Sequence, residues 1–122
     1  MDKNFRLYWF PVISWAILIF VLSSMPAFPK KLEPLLVIDE IPHMIEYAIF
    51  AVLLARAFNN SSRVEFKKNF RILTVICVIV YGISDEWHQS FVPNRVACFS
   101  DIFYDTVGGI IGQFLYRNKK VS

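Results

Sequence analysis

Apolar residues along this chain come in blocks. The first covers residues 7–24, the second 41–58, the third 72–91 and the fourth 99–116. Each is close to the ~20 residues that a helix needs to cross a hydrocarbon layer ~30 Å thick. Polar stretches separate them. Pro26 and Pro29 in "SSMPAFP" stop the first block, Asp39 and Glu40 precede the second, and "NNSSRVEFKKNFR" makes a polar, basic loop before the third. The third block is short if it must stop at Asp85. It reaches spanning length only if the polar residues 85–89 belong to the helix. The pattern predicts an all-α fold: an integral membrane bundle of four transmembrane helices forming a single domain over residues 1–122.

A cleaved signal peptide competes for the first block, because Lys3 and Arg6 suit either reading. The apolar part is long for a signal core and "MPA" is a poor cleavage site, so a retained helix is expected.

Composition agrees with the blocks. Of 122 residues, 56% are hydrophobic and 19% charged, and the mean hydropathy is +0.46. A soluble domain of this size would struggle to hide so much apolar surface. The net charge of +3 taken alone would admit a nucleic-acid partner, but the charges are segregated. With four spans, one side holds Lys3, Arg6, Arg56, Arg63, Lys67, Lys68, Arg71, Arg117, Lys119 and Lys120, ten of the 13 basic residues. Lys30, Lys31 and Arg95 fall on the other side, where most of the acids also lie. Basic residues mark the cytoplasmic side, so both termini are expected in the cytoplasm. Anionic inner-leaflet lipid is then the natural partner of the basic side, and no nucleic acid is implied. Cys77 and Cys98 read as packing thiols, with no Cys-x-x-Cys or zinc-ligand spacing.

The chemistry collects at the other, outer ends of the helices. Asp39, His43 and Tyr47 recur at i, i+4, i+8 on the second helix, with Glu46 beside them. Asp85, Glu86, His88 and Gln89 fall within about one turn of the third. Asp101 and Asp105 are i, i+4 on the fourth, whose face continues into Gly108, Gly109 and Gly112, a GxxxG pattern that lets another helix approach closely. Ionisable groups at such depth must pair or line a watery cavity. The expectation is one shared, outward-facing polar pocket. Each residue also has a structural reading: His43 bonded to a carbonyl, Asp85 and Glu86 as a solvated helix end, Asp101 as a helix cap, Arg95 as a counter-ion after the turn "VPN". Tyr8, Trp9, Trp87 and Tyr116 suit membrane interfaces.

Taken in order, these pieces resemble the VanZ-like family of small bacterial membrane proteins. The resemblance rests on "SSMP", "DEIPHMIEY", "EWHQSFVPNR" and "DIFYDTVGGIIG" and covers almost the entire chain. The matched positions are Asp39, His43, Tyr47, Glu86, Gln89, Arg95 and Asp101. Two positions depart from the family pattern: Asn94 stands where glycine is usual, and Asp105 where asparagine is usual. The resemblance implies a multi-pass protein of the bacterial cytoplasmic membrane. It also points to the cell envelope, because the founding member is linked to resistance to the glycopeptide teicoplanin.

Three functions fit these residues. In the first, the pocket binds a lipid or a lipid-linked cell-wall intermediate. Arg95 engages phosphate or carboxylate, Gln89 and Tyr47 give neutral hydrogen bonds, and Asp39, Asp101 and Asp105 complete the ligand-binding set. In the second, the protein is a hydrolase with His43 and Glu86 as catalytic candidates. His43 is a general base oriented by Asp39 or Glu46, or else His43, Asp85, Glu86 and His88 hold a divalent metal that activates water. In the third, the cluster is structural or relays ions.

Overall fold

An N-terminal rod starts with a π-helical turn, Phe5–Trp9, that runs directly into α1, Phe10–Ser23. Pro11 in the first turn of α1 explains the wider turn before it. Its ring conflicts with the carbonyl four residues back. That carbonyl, of Leu7, accepts instead from Arg56 Nη1 at 3.4 Å. The structure, a computed structural model, describes residues 3, 5–24, 40–92 and 99–116, with side chains for all of these but 40–42 and 99–100. The other elements are α2 (Glu40–Asn59), α3 (Val64–Lys68), α4 (Phe70–Gln89) and α5 (Phe99–Leu115), so the described residues are helical with no strand. Asp39, Arg95 and Cys98 lie outside the described residues; Cys77 is a half-buried free thiol.

The third apolar block does include its polar end, because α4 runs without a break to Gln89. At 20 residues it is about 30 Å long. The basic loop holds a short helix that the sequence pattern did not reveal. In α3, Glu65 stands in the first turn and Lys67 and Lys68 in the last, each complementing the helix dipole. Phe66 ties α3 down by an edge contact with Phe58, centroids 5.7 Å apart.

Contacts at the two ends show that the long helices alternate in direction. At one end Ser24 Oγ, just after α1, lies 2.9 Å from His88 Nε2 near the end of α4. At the same end His43, near the start of α2, faces Asp105 near the start of α5. At the opposite end Trp9 packs edge-on against Phe58, Asn59 Nδ2 donates to Tyr116 Oη at 3.1 Å, and Arg71 Nη1 donates to the Gln113 carbonyl at 2.7 Å. The last bond satisfies an orphan carbonyl at the C-terminal end of α5 with a cation.

α2 is the central helix, and its most extensive pairing is with α5. Glycine makes that pairing possible. A Cβ on Gly108 would stand 2.8 Å from the Met44 Cα, and one on Gly112 2.7 Å from the Ala48 Cα, so two turns of backbone lie directly against two turns of backbone. Behind this seam Phe50, Leu54, Phe58 and Val78 form an apolar core with Val12 and Ile19 of α1. α1 is tied in by polar bonds as well: Trp15 Nε1 donates to the Glu46 carbonyl at 2.9 Å, and the Tyr81 hydroxyl donates to the Ala16 carbonyl.

The distribution of polarity is inverted relative to a water-soluble bundle. The outer face of α4 is Ile72, Ile76, Val80, Ile83 and Trp87, all exposed, while its inner face is Thr74, Val78, Gly82, Asp85, Glu86 and Gln89, all buried. Among the described residues one helix, Phe5–Ser23, is by itself long and apolar enough to cross a membrane, with a mean hydropathy of 1.9. The expectation of four spans is not reached by that criterion for the others. Of these, α4 carries Arg71, Asp85 and Glu86 in its run, and α5 has 17 residues and carries Asp101 and Asp105.

Candidate functional site

The polar cluster forms where the first turns of α2 and α5 meet the last turns of α4. On α4, residues at 100° spacing place Asp85, Glu86 and Gln89 on the face toward α2 and α5, and all three are buried. On α2, His43 and Tyr47 stand one turn apart on the side facing α4 and α5. On α5, Asp105 enters between them. Gly82 of α4 lies beside it: a Cβ there would meet Asp105 Oδ2 at 3.5 Å and the Tyr47 ring at 3.9 Å, ordinary contact distances.

Two polar pairs organise the cluster. Tyr47 Oη donates to Asp85 Oδ2 at 3.2 Å. The hydroxyl of Ser23, buried at the end of α1, faces the same carboxylate. His43 Nδ1 lies 3.5 Å from Asp105 Oδ1, an ion-pair distance rather than a good hydrogen bond. Among the described residues, neither carboxylate oxygen of Asp105, nor Gln89 Nε2, has a hydrogen-bond partner, although both residues are fully enclosed. A buried polar atom left in this state costs about 1–3 kcal/mol, so each invites an explanation.

The structure thus brings together His43, Tyr47, Asp85, Glu86, Gln89 and Asp105. Asp101 is half-buried in the first turn of α5, where a carboxylate also complements the dipole. His88 is not in this group. It stacks on Phe20 of α1, centroids 4.2 Å apart, and lies within hydrogen-bonding distance of Ser24. The four-residue metal set expected from sequence is therefore not assembled, and no three potential ligands gather among the described residues. Among the described residues, His43 has one carboxylate at ion-pair distance. It is Asp105, across the α2–α5 seam, while the Glu46 backbone carbonyl binds Trp15. Asp39, the other expected partner, lies outside the described residues.

Sequence reasoning missed Ser23, which it read only as part of a helix stop. "SSMP" was the available signal, since it carries the family resemblance. The expected open pocket is, among the described residues, a packed polar core: Tyr47, Gln89 and Asp105 are at most 1% exposed. A hollow of about 550 Å³ lies at the other end of the molecule, between Ser61, Ser62, Val64, Lys67 and Lys68.

Neither a curated protein nor a solved structure matches the chain. A family model, VanZ/LLP1, matches residues 7–120, nearly its whole length, and spans every helix that builds the polar core. With helices, glycine seam and buried carboxylates all inside that match, the chain belongs to the VanZ/LLP1 family.

Proposed function

We propose that this protein is a four-span protein of the bacterial cytoplasmic membrane, with both termini in the cytoplasm. Its polar core faces the outer leaflet and binds a lipid or a lipid-linked cell-wall intermediate. One observation carries the reading: Tyr47, Asp85, Gln89 and Asp105 are buried inside helices whose outward faces are exposed Ile, Val, Phe and Trp. Water-soluble proteins rarely expose large contiguous apolar surface. In a bilayer that surface is matched by acyl chains, and an enclosed ionisable cluster marks a functional site. The alternating helix directions bring the basic residues Arg56, Arg71 and the α3 lysines to the end opposite the core, as the positive-inside rule requires.

In this reading Arg95 and Asp39 complete the site, with Arg95 holding the anionic part of the ligand through its planar fork. Arg95→Lys keeps the charge and loses the fork. Mass spectrometry of the detergent-purified full chain is expected to show native lipid-linked species retained by the wild type. Retention should fall about tenfold in Arg95→Lys at equal protein level; equal retention sinks the assignment. Reporter fusions at each end test the topology, and both should report cytoplasm. Because the founding member of the VanZ-like family is linked to teicoplanin resistance, deletion of the chain should shift teicoplanin susceptibility if its ligand is a cell-wall precursor.

A second reading is favoured by the His43–Asp105 pair, which has the form of a base and its orienting carboxylate. As a hydrolase of an envelope ester, the protein would lose turnover in His43→Gln while keeping ligand retention. Loss of both together would return the residue to binding.

A further inference from the structure

The segment between α2 and α4 leaves positive charge unanswered. At about 100° per residue, Lys67 and Lys68 of α3 lie within about 60° of Val64, while Phe66 points about 160° away from it. Phe66 is half-buried against Phe58, so the face with Val64 and the lysines is turned outward. Both lysines are exposed, and Val64 is 73% exposed. Among the described residues neither lysine has a carboxylate at ion-pair distance. Three arginines of this end are already engaged. Arg56 lies over Tyr8 and donates to the Leu7 carbonyl, Arg63 lies over Phe66, and Arg71 donates to Gln113.

The two lysines and Val64, with Ser61 and Ser62, bound the hollow of about 550 Å³, a size common among ligand pockets, which run to about 300–1,000 Å³. Ser61 Oγ accepts from the Arg63 N–H at 3.1 Å, which leaves its own proton to donate. Glu65, the acid of α3, lines no part of the hollow. Two ammoniums and two hydroxyls call for an oxygen anion. A metal ion would be repelled, and a neutral sugar would leave both charges unpaired. Val64 separates a lipid from a small soluble anion. A bare valine beside the lysines gives a soluble phosphate nothing, but it suits a head group that continues into hydrocarbon. The exposed apolar stripe of α4 begins at Ile72, four residues past Lys68.

We propose that this hollow binds the phosphate head group of an anionic phospholipid. Lys67 and Lys68 take the phosphate oxygens, the Ser61 and Ser62 hydroxyls donate beside them, and Val64 packs against the first carbons below the head group. Segregation of charge along the chain asks only for diffuse attraction to an anionic leaflet; the hollow gives that attraction a place. The inference rests on the reading of this end as the cytoplasmic face of a membrane protein, and it is separate from the polar core.

The test uses the full chain purified in mild detergent and native mass spectrometry with equimolar phosphatidylglycerol, phosphatidylcholine and phosphatidylethanolamine. The last two carry phosphate but no net charge. Phosphatidylglycerol should be retained about tenfold or more over both. Lys67→Gln and Lys68→Gln should each lower that preference about fivefold, the worth of one basic residue near an anionic surface. Arg63→Gln removes the same charge from the same segment but not from the hollow, and should change the preference little. Equal falls in all three variants mean diffuse attraction and overturn the site, as does equal retention of the three lipids by the wild type. Excess glycerol 3-phosphate should leave phosphatidylglycerol bound; displacement would assign the hollow to a soluble phosphate and overturn the lipid. Should one lysine variant fail to fold, the other decides against Arg63→Gln. If reporter fusions place both termini outside while the preference still depends on the lysines, the phosphate site stands and the orientation fails. If they report cytoplasm and no preference is seen, this inference alone fails.

Discussion

Tyr47 is enclosed on every side, so its hydroxyl must find a partner within the protein, and it donates to Asp85. Tyr47→Phe removes the donor and leaves a buried carboxylate with Ser23 as its remaining hydroxyl neighbour. Thermal unfolding of the purified protein should show a loss of about 1–3 kcal/mol. Combining it with Asp85→Asn should cost less than the two single changes summed, because the stranded charge is gone. Full additivity would mean that the two side chains do not interact. His88 makes the opposite case. Its ring stacks on Phe20 and its bond to Ser24 is exposed. His88→Phe should preserve the stacking, change stability by less than about 0.5 kcal/mol, and leave ligand retention as it was. A loss of retention would put His88 back among the site residues. The two predictions separate residues that the sequence grouped together.

The reason they were grouped is visible at the scale of the helix. Asp85, Glu86, His88 and Gln89 are neighbours in sequence, but at about 100° per residue His88 lies roughly 160° around the helix from Glu86. α4 can thus turn Glu86 to α2 and α5 while His88 meets α1, and Asp85, about 60° from His88, stands between them beside Tyr47 and Ser23. Periodicity gives this angle, yet which side faces which neighbour depends on how the helices pack. The same holds for the glycines. GxxxG announced a close approach, and the partner, the backbone of Met44 and Ala48 on α2, emerged only from the structure. The long helices themselves were legible because an apolar block is a local property; α2 at Glu40–Asn59 and α5 at Phe99–Leu115 lie within a residue or so of the blocks at 41–58 and 99–116. α3 was not, since five residues give no period to read. Nor was the His43–Asp105 pair, which joins residues distant in sequence across that glycine seam. The seam makes a sharp prediction. Gly112→Ala drives a methyl into the Ala48 backbone, which has nowhere to move, whereas Gly109→Ala meets the Val78 side chain at 2.6 Å. Overpacking of this kind costs about 1–3 kcal/mol. Gly112→Ala should lower the yield of folded protein more than Gly109→Ala, as read by size-exclusion chromatography of detergent extracts. The reverse order would place the critical contact on α4.

For the molecule as a whole, the question is what solvent the outer faces were shaped for. Val80 sits near the middle of α4 and is 60% exposed, in line with Ile72, Ile76 and Ile83. In water that stripe would be a liability, and a lysine there would improve solubility at little cost to packing. In a bilayer the same lysine stands near the centre of the hydrocarbon layer, where insertion costs about 2.5–3.5 kcal/mol. The ends of α4 offer little relief: Arg71 carries the same charge, and Asp85 is already engaged by Tyr47. A lysine at position 80 also has no acid within a turn on its own helix, since α4 carries none between Phe70 and Ser84. Snorkelling along its stem is the remaining route, and it recovers only part of the cost. Val80→Lys should therefore reduce the amount of protein in the membrane fraction, while the conservative Val80→Leu should not. If Val80→Lys instead accumulates as a folded soluble species with the polar core intact, the apolar coat is not a lipid-facing surface. The four-span proposal then fails at its base, together with the outer-leaflet location of the site.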